Sequence, residues 1–468
     1  MKITRFIKWF SVGVAWAALS ASAFSQTVIR IVGSNGDRVA TQNAIAHILD
    51  NGTSFSYRGT NGSNSSTTVS TGTASPTLSV ASAITGSNFG AWNGTYGGNN
   101  VVIKVTFSGA LAGIAAVAGN TDQRFVPNDG TGSGATVNPL TGTTQGTDYE
   151  VGKADFGFST NFQTTSPFNG VFQGTTYSTV VEEIVGISPL GFYASPGFPG
   201  SPSNTTNTTV QNITTQLARQ LYTIGSVSLA QFTGDWTNDK NKIVYALGRN
   251  TDAGQRFGAY TEIGLGTTTQ VRVYFPTVSG STTSGSTTFG GTAITHELWP
   301  INQQPGSFAV ALGSGGYSSG ALISQNLTVV LGADAYKSLY DDPETVGPDY
   351  LYPDATAGYY IGYVTPGDAS SRIVGGVVPT GSRGVALKFN GVELTNANVQ
   401  NGTYTAWVYN RILKPQSGAA NALTGTKLTF ANALRDQIRN TDAATSGLKD
   451  DASVFVKRST DGGDVVPK

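Results

Sequence analysis

The sequence predicts an α/β protein built of two lobes, with strands that cross between them. Three stretches read in order as a strand, a loop rich in Gly and Ser, and a helix, which is how α/β units begin. The apolar runs at 180–193 and 359–364 are typical of buried strands, and we expect the chain to cross between the lobes near 187–192 and 358–364. At 468 residues the chain is also longer than one hydrophobic core usually holds.

The first two units lie in the N-terminal part of the chain. One joins a strand at 28–32 to a helix at 40–49, where apolar residues recur at helical spacing. The other joins a strand at 101–107 to a helix at 114–118. The loops between them, at 33–38 and 108–113, carry Gly and small polar residues and therefore allow a tight turn into each helix.

The third unit lies further along, with a strand at 242–249, a loop at 249–255 and a helix at 257–263. Two long segments interrupt the pattern, at 51–100 and 127–148, and both are rich in Gly and Thr with few charged residues. Such composition favours turns over helices. We expect them to be hairpin or loop insertions.

Composition excludes several kinds of function. The 28 basic and 28 acidic residues cancel, so the sequence has no excess of positive charge with which to bind nucleic acid. With no Cys and only two His, His47 and His296, it lacks disulfides, thiol nucleophiles and Cys-ligated metal. We therefore predict no catalytic residues, no metal site and no cofactor.

The N-terminus is typical of a cleavable export signal. Lys2, Arg5 and Lys8 precede an apolar stretch at 9–23, which contains the small residues of a cleavage site. We assign 1–25 to the signal and predict no membrane span in the rest of the chain. The mature protein is then expected in the periplasm or outside the cell.

Each Gly-rich loop would place backbone N–H groups at the start of a helix, where anions bind. Arg249 adds a guanidinium to the third loop and would give an oxyanion paired hydrogen bonds. A surface ion pair is an equally good interpretation of Arg249. Ser318 lies in a G-x-S-x-G pattern, but both His residues precede it, so the chain order of a hydrolase triad is absent and a helix start is the better interpretation.

Several segments, in chain order, resemble the phosphate-binding proteins of ABC importers and the broader type II periplasmic-binding-protein superfamily. They are Ile31–Gly36, Phe107–Ile114, Ala154–Thr160, Asn212–Ile224 with Trp236, Gly248–Gln255, Ile361–Val364 and Asn401–Tyr404.

This resemblance implies that lobe 1 comprises 26–190 and 359–468, and lobe 2 comprises 191–358, with a small anion between them and an ABC permease as partner. The ligand-binding residues it implies are Ser34, Asn35, Gly36, Arg38, Gly109, Ala110, Ser159, Thr160, Arg249, Ala253, Gly254 and Gln255.

The sequence departs from the family at the anion clamp. Thr160 stands where the family has an Asp, and Ala253-Gly254-Gln255 stands for Ser-Gly-Thr. Asp37-Arg38 replaces a Thr-Phe pair, and Arg38 could supply contacts that the lost hydroxyls would have made. The resemblance therefore supports the fold well and a preference for phosphate poorly.

Three functions remain open at this point. The first is an exported solute-binding protein with a small anionic or polar ligand in the cleft. The second is a secreted surface or matrix protein that retains the fold without binding phosphate. The third is a secreted phosphatase-like enzyme, which the scarcity of His and the absence of a carboxylate pair argue against.

Overall fold

The computed structural model describes residues 26–60, 63–72, 87–127, 149–266, 268–285, 287–300, 311–340 and 347–468, and of 53–60 and 63–68 only the backbone. The predicted signal at 1–25 lies outside these residues, as do 73–86 and 128–148 of the two predicted insertions.

An eight-stranded mixed sheet forms the first lobe. Its centre is parallel, because Thr27–Val32 pairs in parallel with both Asn99–Thr106 and Phe156–Ser159. From edge to edge the strands are Val180–Pro189, Trp407–Pro415, Phe156–Ser159, Thr27–Val32, Asn99–Thr106, Phe89–Tyr96, Gly52–Thr60 and Ser63–Thr71. The hairpin predicted within 51–100 is present, and its two strands extend this sheet at one edge.

Helices cover both faces of this sheet. Arg38–Ile48 and Gly425–Asn440 pack together on one face, where Ile31 joins their core, while Ala110–Ala118 packs on the other, where Val32 contacts it. Adjacent residues of a strand point to opposite faces, so a single apolar strand serves both cores. The first predicted helix is therefore confirmed, and the second begins at Ala110 rather than at 114.

A five-stranded sheet forms the second lobe. Its strands, from edge to edge, are Ser226–Ser228, Lys242–Ala246, Ala357–Val364, Gly191–Ala194 and Val385–Ala386. Helices of this lobe are Thr215–Ile224, Gly254–Glu262 and Gly320–Asn326. Ser319 caps the last of them by accepting a hydrogen bond from the Leu322 N–H, so the Gly/Ser stretch at 316–320 is a helix start as predicted. With helices and mixed sheets in both lobes, the predicted α/β class is confirmed.

Shorter elements complete the two lobes. A three-stranded sheet contains Tyr274–Ser279, Thr292–Leu298 and Val330–Leu331. The paired strands are Asp122–Phe125 with Glu150–Lys153, Gly170–Phe172 with Thr175–Tyr177, Asn212–Ile213 with Lys388–Phe389, Thr282–Ser284 with Thr287–Phe289, Leu339–Tyr340 with Asp349–Tyr350, and Val456–Lys457 with Val466–Pro467. The short helices are Gln163–Thr165, Ala230–Thr233, Trp236–Asp239, Ala333–Tyr336, Pro366–Ser370, Thr380–Ser382, Asn396–Gln400 and Asp442–Thr445.

The chain passes from the first sheet to the second at Leu190. This residue lies between Val180–Pro189 and Gly191–Ala194, its N–H donates to the Ala406 carbonyl at 2.9 Å, and its carbonyl accepts from the Tyr404 hydroxyl at 2.6 Å. Two adjacent segments thus cross between the sheets together, at the position expected from the apolar run at 187–192.

The return of the chain differs from the sequence expectation. The sequence predicts that the return to lobe 1 begins at 359. In the structure 359–364 belongs to Ala357–Val364, the central strand of the second sheet, which pairs with Lys242–Ala246 and Gly191–Ala194. The chain re-enters the first sheet with Trp407–Pro415. The pairing therefore places the return nearer residue 407 than 359. The apolar character of a strand does not determine which of two sheets it joins.

The helix Gly254–Glu262 packs at the junction of the lobes. A Cβ on Gly258 would lie 2.4 Å from Cγ1 of Val408, so this helix lies directly on a strand of the first sheet. Glu262 forms a buried ion pair with Arg458 at 3.0 Å. Within the part of the chain that is described, no helix is long and apolar enough to cross a membrane.

Candidate functional site

The predicted ligand loops meet between the two lobes. The Leu111 N–H donates to the carbonyl of Asp252 at 3.2 Å, and the Gly109 N–H donates to the carbonyl of Gly33 at 3.1 Å. Parallel strands end at a common edge, where loops and ligands of α/β sheets gather. The pairing of Thr27–Val32 with Asn99–Thr106 brings the first two loops together in this way. The third loop reaches them from the second lobe.

Thr160 and Gly254 lie in close contact between these loops. A Cβ on Gly254 would lie 1.6 Å from the Thr160 Oγ1 and 2.8 Å from the Ala110 Cβ, so only glycine allows this approach. The side chain of Thr160 therefore fills the space beside two other predicted ligand residues, Gly254 and Ala110.

The backbone donors at the predicted loops make hydrogen bonds inside the protein. The Gly36 N–H donates to the Ser34 Oγ at 3.0 Å, and the Ala253 N–H donates to the Asn250 carbonyl at 3.1 Å. The fully buried Ser159 accepts from the Asn161 N–H at 3.0 Å. In this conformation Ser34 and Ser159 hold their loops in shape, and their part in binding a ligand stays a prediction.

A cavity of about 450 Å³ lies beside this contact and is lined by residues from both lobes. Its charged lining residues are Arg38 from the first lobe and Arg249 and Asp368 from the second. Asn35, Gly36 and Gln255, which the sequence also predicts as ligand residues, line it as well. Five of the predicted residues thus surround one space, whereas Ser34, Gly109, Ala110, Ser159, Thr160, Ala253 and Gly254 belong to the packed loops beside it.

Arg249 is held in place by acceptors on three residues. Its Nε donates to the Tyr317 carbonyl at 2.9 Å, its Nη2 to the Ser318 carbonyl at 3.0 Å, and its Nη1 to the Gln255 Oε1 at 2.5 Å. The residue is only 2% exposed, and this burial lowers the pKa of Arg249 to about 10, while the nearby Asp368 opposes the shift. Arg249 is consequently a fixed cation at neutral pH. The interpretation of Arg249 as a surface ion pair is wrong, because the side chain is buried.

Arg38 faces the cavity from the other lobe. Its Nη1 donates to the Asn88 Oδ1, an atom that also accepts from the Asn35 Nδ2 at 3.2 Å. Desolvation lowers the pKa of Arg38, and the charge of Asp368 raises it. The two arginines therefore place positive charge in the lining of one cavity, each from a different lobe.

Asp368 is the site residue that the sequence analysis missed. Its Oδ2 accepts from the Thr365 hydroxyl at 3.1 Å and from the Gln255 Nε2 at 3.3 Å. It follows the strand Ala357–Val364, just as Arg249 follows the strand Lys242–Ala246, and these strands are parallel neighbours. Side chains that follow neighbouring parallel strands converge, and this rule would have pointed to Asp368. It can be applied only when the order of the strands in the sheet is known.

Several buried polar atoms, in the cavity lining and in the loop after Arg249, have no hydrogen-bond partner among the described residues, which is unusual in a folded protein. They include the Arg38 Nε, Asn35 Oδ1, Asn250 Oδ1 and Thr251 Oγ1. Asp37, at the start of the Arg38–Ile48 helix, makes no side-chain capping bond, and burial raises its pKa well above the usual value. Both donors and acceptors are concentrated here, as in sites that take a polar ligand.

Other parts of the structure offer less chemistry. The described residues contain no group of three or more His, Asp or Glu side chains that could hold a metal ion. A larger cavity of about 910 Å³, near Tyr274, His296 and Leu339 in the second lobe, is mainly apolar and includes none of the predicted ligand residues.

No protein-family model matches the chain, and no curated protein matches it. Solved structures are similar to it, and three are phosphate receptors of ABC transporters. A phosphate transport receptor from Vibrio cholerae has 10% identity, covering 74% of this chain and 87% of its own, at a TM-score of 0.37. A putative phosphate substrate-binding protein from Clostridium perfringens, with bound phosphate, has 12% identity, with coverage of 90% and 99% and a TM-score of 0.39. PstS from Borrelia burgdorferi has 9% identity, with coverage of 91% and 98% and a TM-score of 0.35.

Proposed function

We propose that this chain is an exported solute-binding protein that holds a small anion in the cavity between its lobes and delivers it to an ABC permease. The observation that carries the proposal is the pair of arginines, Arg38 and Arg249, contributed by different lobes to one cavity. An anion that contacts both would link the lobes and favour their closed arrangement.

Charge and burial support this interpretation. Two arginines and one aspartate give the lining of the cavity a formal charge of +1. Charge-assisted hydrogen bonds are stronger than neutral ones, and a partly buried site weakens them less than bulk water does. The fixed guanidinium of Arg249 is also already oriented, so little conformational entropy is lost when a ligand binds.

The first experiment is thermal unfolding of the purified chain with phosphate, sulfate, phosphonates and carboxylates. A ligand at 100 times its dissociation constant should stabilise the native state by about 2.7 kcal/mol. We expect at least one anion to raise the unfolding temperature of the wild-type protein. The affinity for that anion should fall at least tenfold in Arg38→Gln and in Arg249→Lys, which is the milder of the possible changes at Arg249. Arg439→Gln, which alters an exposed helix residue, is the control.

If a folded protein responds neither to these anions nor to zwitterions that carry an anionic group, the proposal is contradicted and the second candidate is left, a secreted surface or matrix protein that keeps the fold without phosphate binding. One observation favours that candidate, namely that Thr160 already fills the space beside Gly254 and Ala110. Export is a separate part of the proposal. Expression of the full chain with its N-terminal 25 residues, followed by mass measurement of the secreted product, tests whether cleavage occurs near Ala23.

A further inference from the structure

We infer that the ligand of this cavity is a small organic zwitterion, whose anionic group binds Arg38 and Arg249 and whose ammonium group binds Asp368. This inference rests on the proposed function and specifies the class of ligand. The observation behind it is that the carboxylate of Asp368 shares the cavity with both arginines.

The position of Asp368 is the first argument. It lines the same cavity as both arginines, and like charges within a partly buried site repel strongly. A carboxylate there weakens the binding of every anion that has no hydrogen-bond donor to offer it. The carboxylate favours binding only if the ligand also carries a group that donates a hydrogen bond to it. Binding sites use repulsive groups of this kind to reject close competitors of their ligand.

The hydrogen bonds of Asp368 leave one oxygen available. Thr365 and Gln255 both donate to Oδ2, and among the described residues none donates to Oδ1. An ammonium group, which has three donors and no acceptor, matches that oxygen.

Gln255 keeps the opposite charges apart. Its Oε1 accepts from Arg249 and its Nε2 donates to Asp368, so the amide stands between the two groups. Among the described residues, neither arginine of the cavity forms an ion pair with Asp368. The site thus presents a cationic and an anionic part side by side, which is complementary to a zwitterion.

The size of the cavity agrees with an organic ligand. At about 450 Å³ it falls within the range of about 300–1,000 Å³ that small organic ligands occupy. A bare tetrahedral oxyanion takes on the order of two water volumes, or ~60 Å³. Most of the cavity would remain for the part of the ligand that joins its two charges.

Isothermal titration calorimetry with matched pairs of probes tests the inference. 2-Aminoethylphosphonate is compared with ethylphosphonate, and glycine with acetate, since the members of each pair differ by the amine. We expect the amine-bearing member of at least one pair to bind wild type at least tenfold more tightly. In Asp368→Asn the preference should fall to within about twofold, while Asp354→Asn, a change at an exposed aspartate, should retain it.

The outcomes separate this inference from the proposed function. If wild type binds ethylphosphonate, acetate or inorganic phosphate as tightly as the amine-bearing probes, the zwitterion is ruled out and anion binding stands. If wild type binds none of the probes or simple anions, both ideas fail. The comparison of probes on wild type decides the matter even if Asp368→Asn does not fold.

Discussion

The hydroxyl of Thr160 packs directly against the Cα of Gly254, so that a loop of the first lobe touches the helix start of the second. A Cβ at 254 would stand 1.6 Å from that hydroxyl oxygen. The contact joins the lobes at the place where the sequence predicts the anion clamp. Beside this contact lies the cavity that Arg38, Arg249 and Asp368 line.

The first prediction concerns this contact. Gly254→Ala should destabilise the protein by about 1–3 kcal/mol, because the added methyl group overpacks a site bounded by Thr160, Ala110 and Asn161. Urea unfolding measures the change. Gly381→Ala is the control, since a Cβ there would have no neighbour within 4 Å, and it should be nearly neutral. Equal effects of the two substitutions would contradict the close packing.

The second prediction concerns the buried Arg411. Its guanidinium lies 3.3 Å from the ring centre of Phe162 and 3.6 Å from a carboxylate oxygen of Glu182, with Asp461 also close. Arg411→Met should lower the free energy of unfolding by about 3–5 kcal/mol at pH 7, because it leaves buried carboxylates without a counter-charge. Arg435→Met, at a partly exposed ion pair, should cost at most about 1 kcal/mol.

The cost of Arg411→Met should depend on pH. Burial raises the pKa of Glu182 and of Asp461, and removing the cation raises both further. The folded variant then takes up protons at a higher pH than its unfolded chain, so its stability relative to wild type improves as the pH falls. Urea unfolding of both proteins at pH 7 and pH 4.5 measures this difference in stability. A difference that is the same at both pH values would contradict the prediction.

The third prediction concerns His296, which is 3% exposed beside the Tyr360 hydroxyl at 3.1 Å. Burial lowers the pKa of His296 to about 3, from an ordinary value of 6.5. Between these values the unfolded chain binds a proton that the folded protein excludes, so stability is lost as the pH falls below 6.5. At pH 4.5 the loss should reach about 2.7 kcal/mol.

A matched variant isolates this contribution. His296→Gln can still bond to Tyr360 but has no group that titrates in this range. Its stability should therefore fall less steeply than that of wild type between pH 6.5 and 4.5, as measured by urea unfolding at each pH. Parallel pH curves for the two proteins would show that His296 is protonated in the folded state.

The fourth prediction rests on the proposed anion site. Gln255→Glu would place a carboxylate between Arg249 and Asp368 and take the formal charge of the cavity lining from +1 to 0. Anion affinity should fall at least tenfold, which corresponds to about 1.4 kcal/mol. Calorimetry with the best anion of the panel measures it. Gln231→Glu, at a residue outside this cavity, is the control and should bind as wild type does.

Local patterns predicted most elements but not all of their limits. The helices at 110–118 and 254–262 begin three or four residues earlier than their apolar periodicity indicates. Both begin at small residues, Ala110 and Gly254, which carry no hydrophobic signal. Their early starts follow from the close approach of the loops, and that approach is a tertiary contact.

The sequence by itself determined the α/β class, the strand–loop–helix units and the crossing near Leu190, because each depends on residues that are neighbours in the chain. It also predicted Arg38 and Arg249 as ligand residues, which stays a prediction. The tertiary structure alone decided that Ala357–Val364 lies in the second sheet beside Lys242–Ala246, and hence that Asp368 shares a cavity with both arginines. Strand order depends on pairing between segments more than one hundred residues apart, and no local pattern encodes which partner is the more stable.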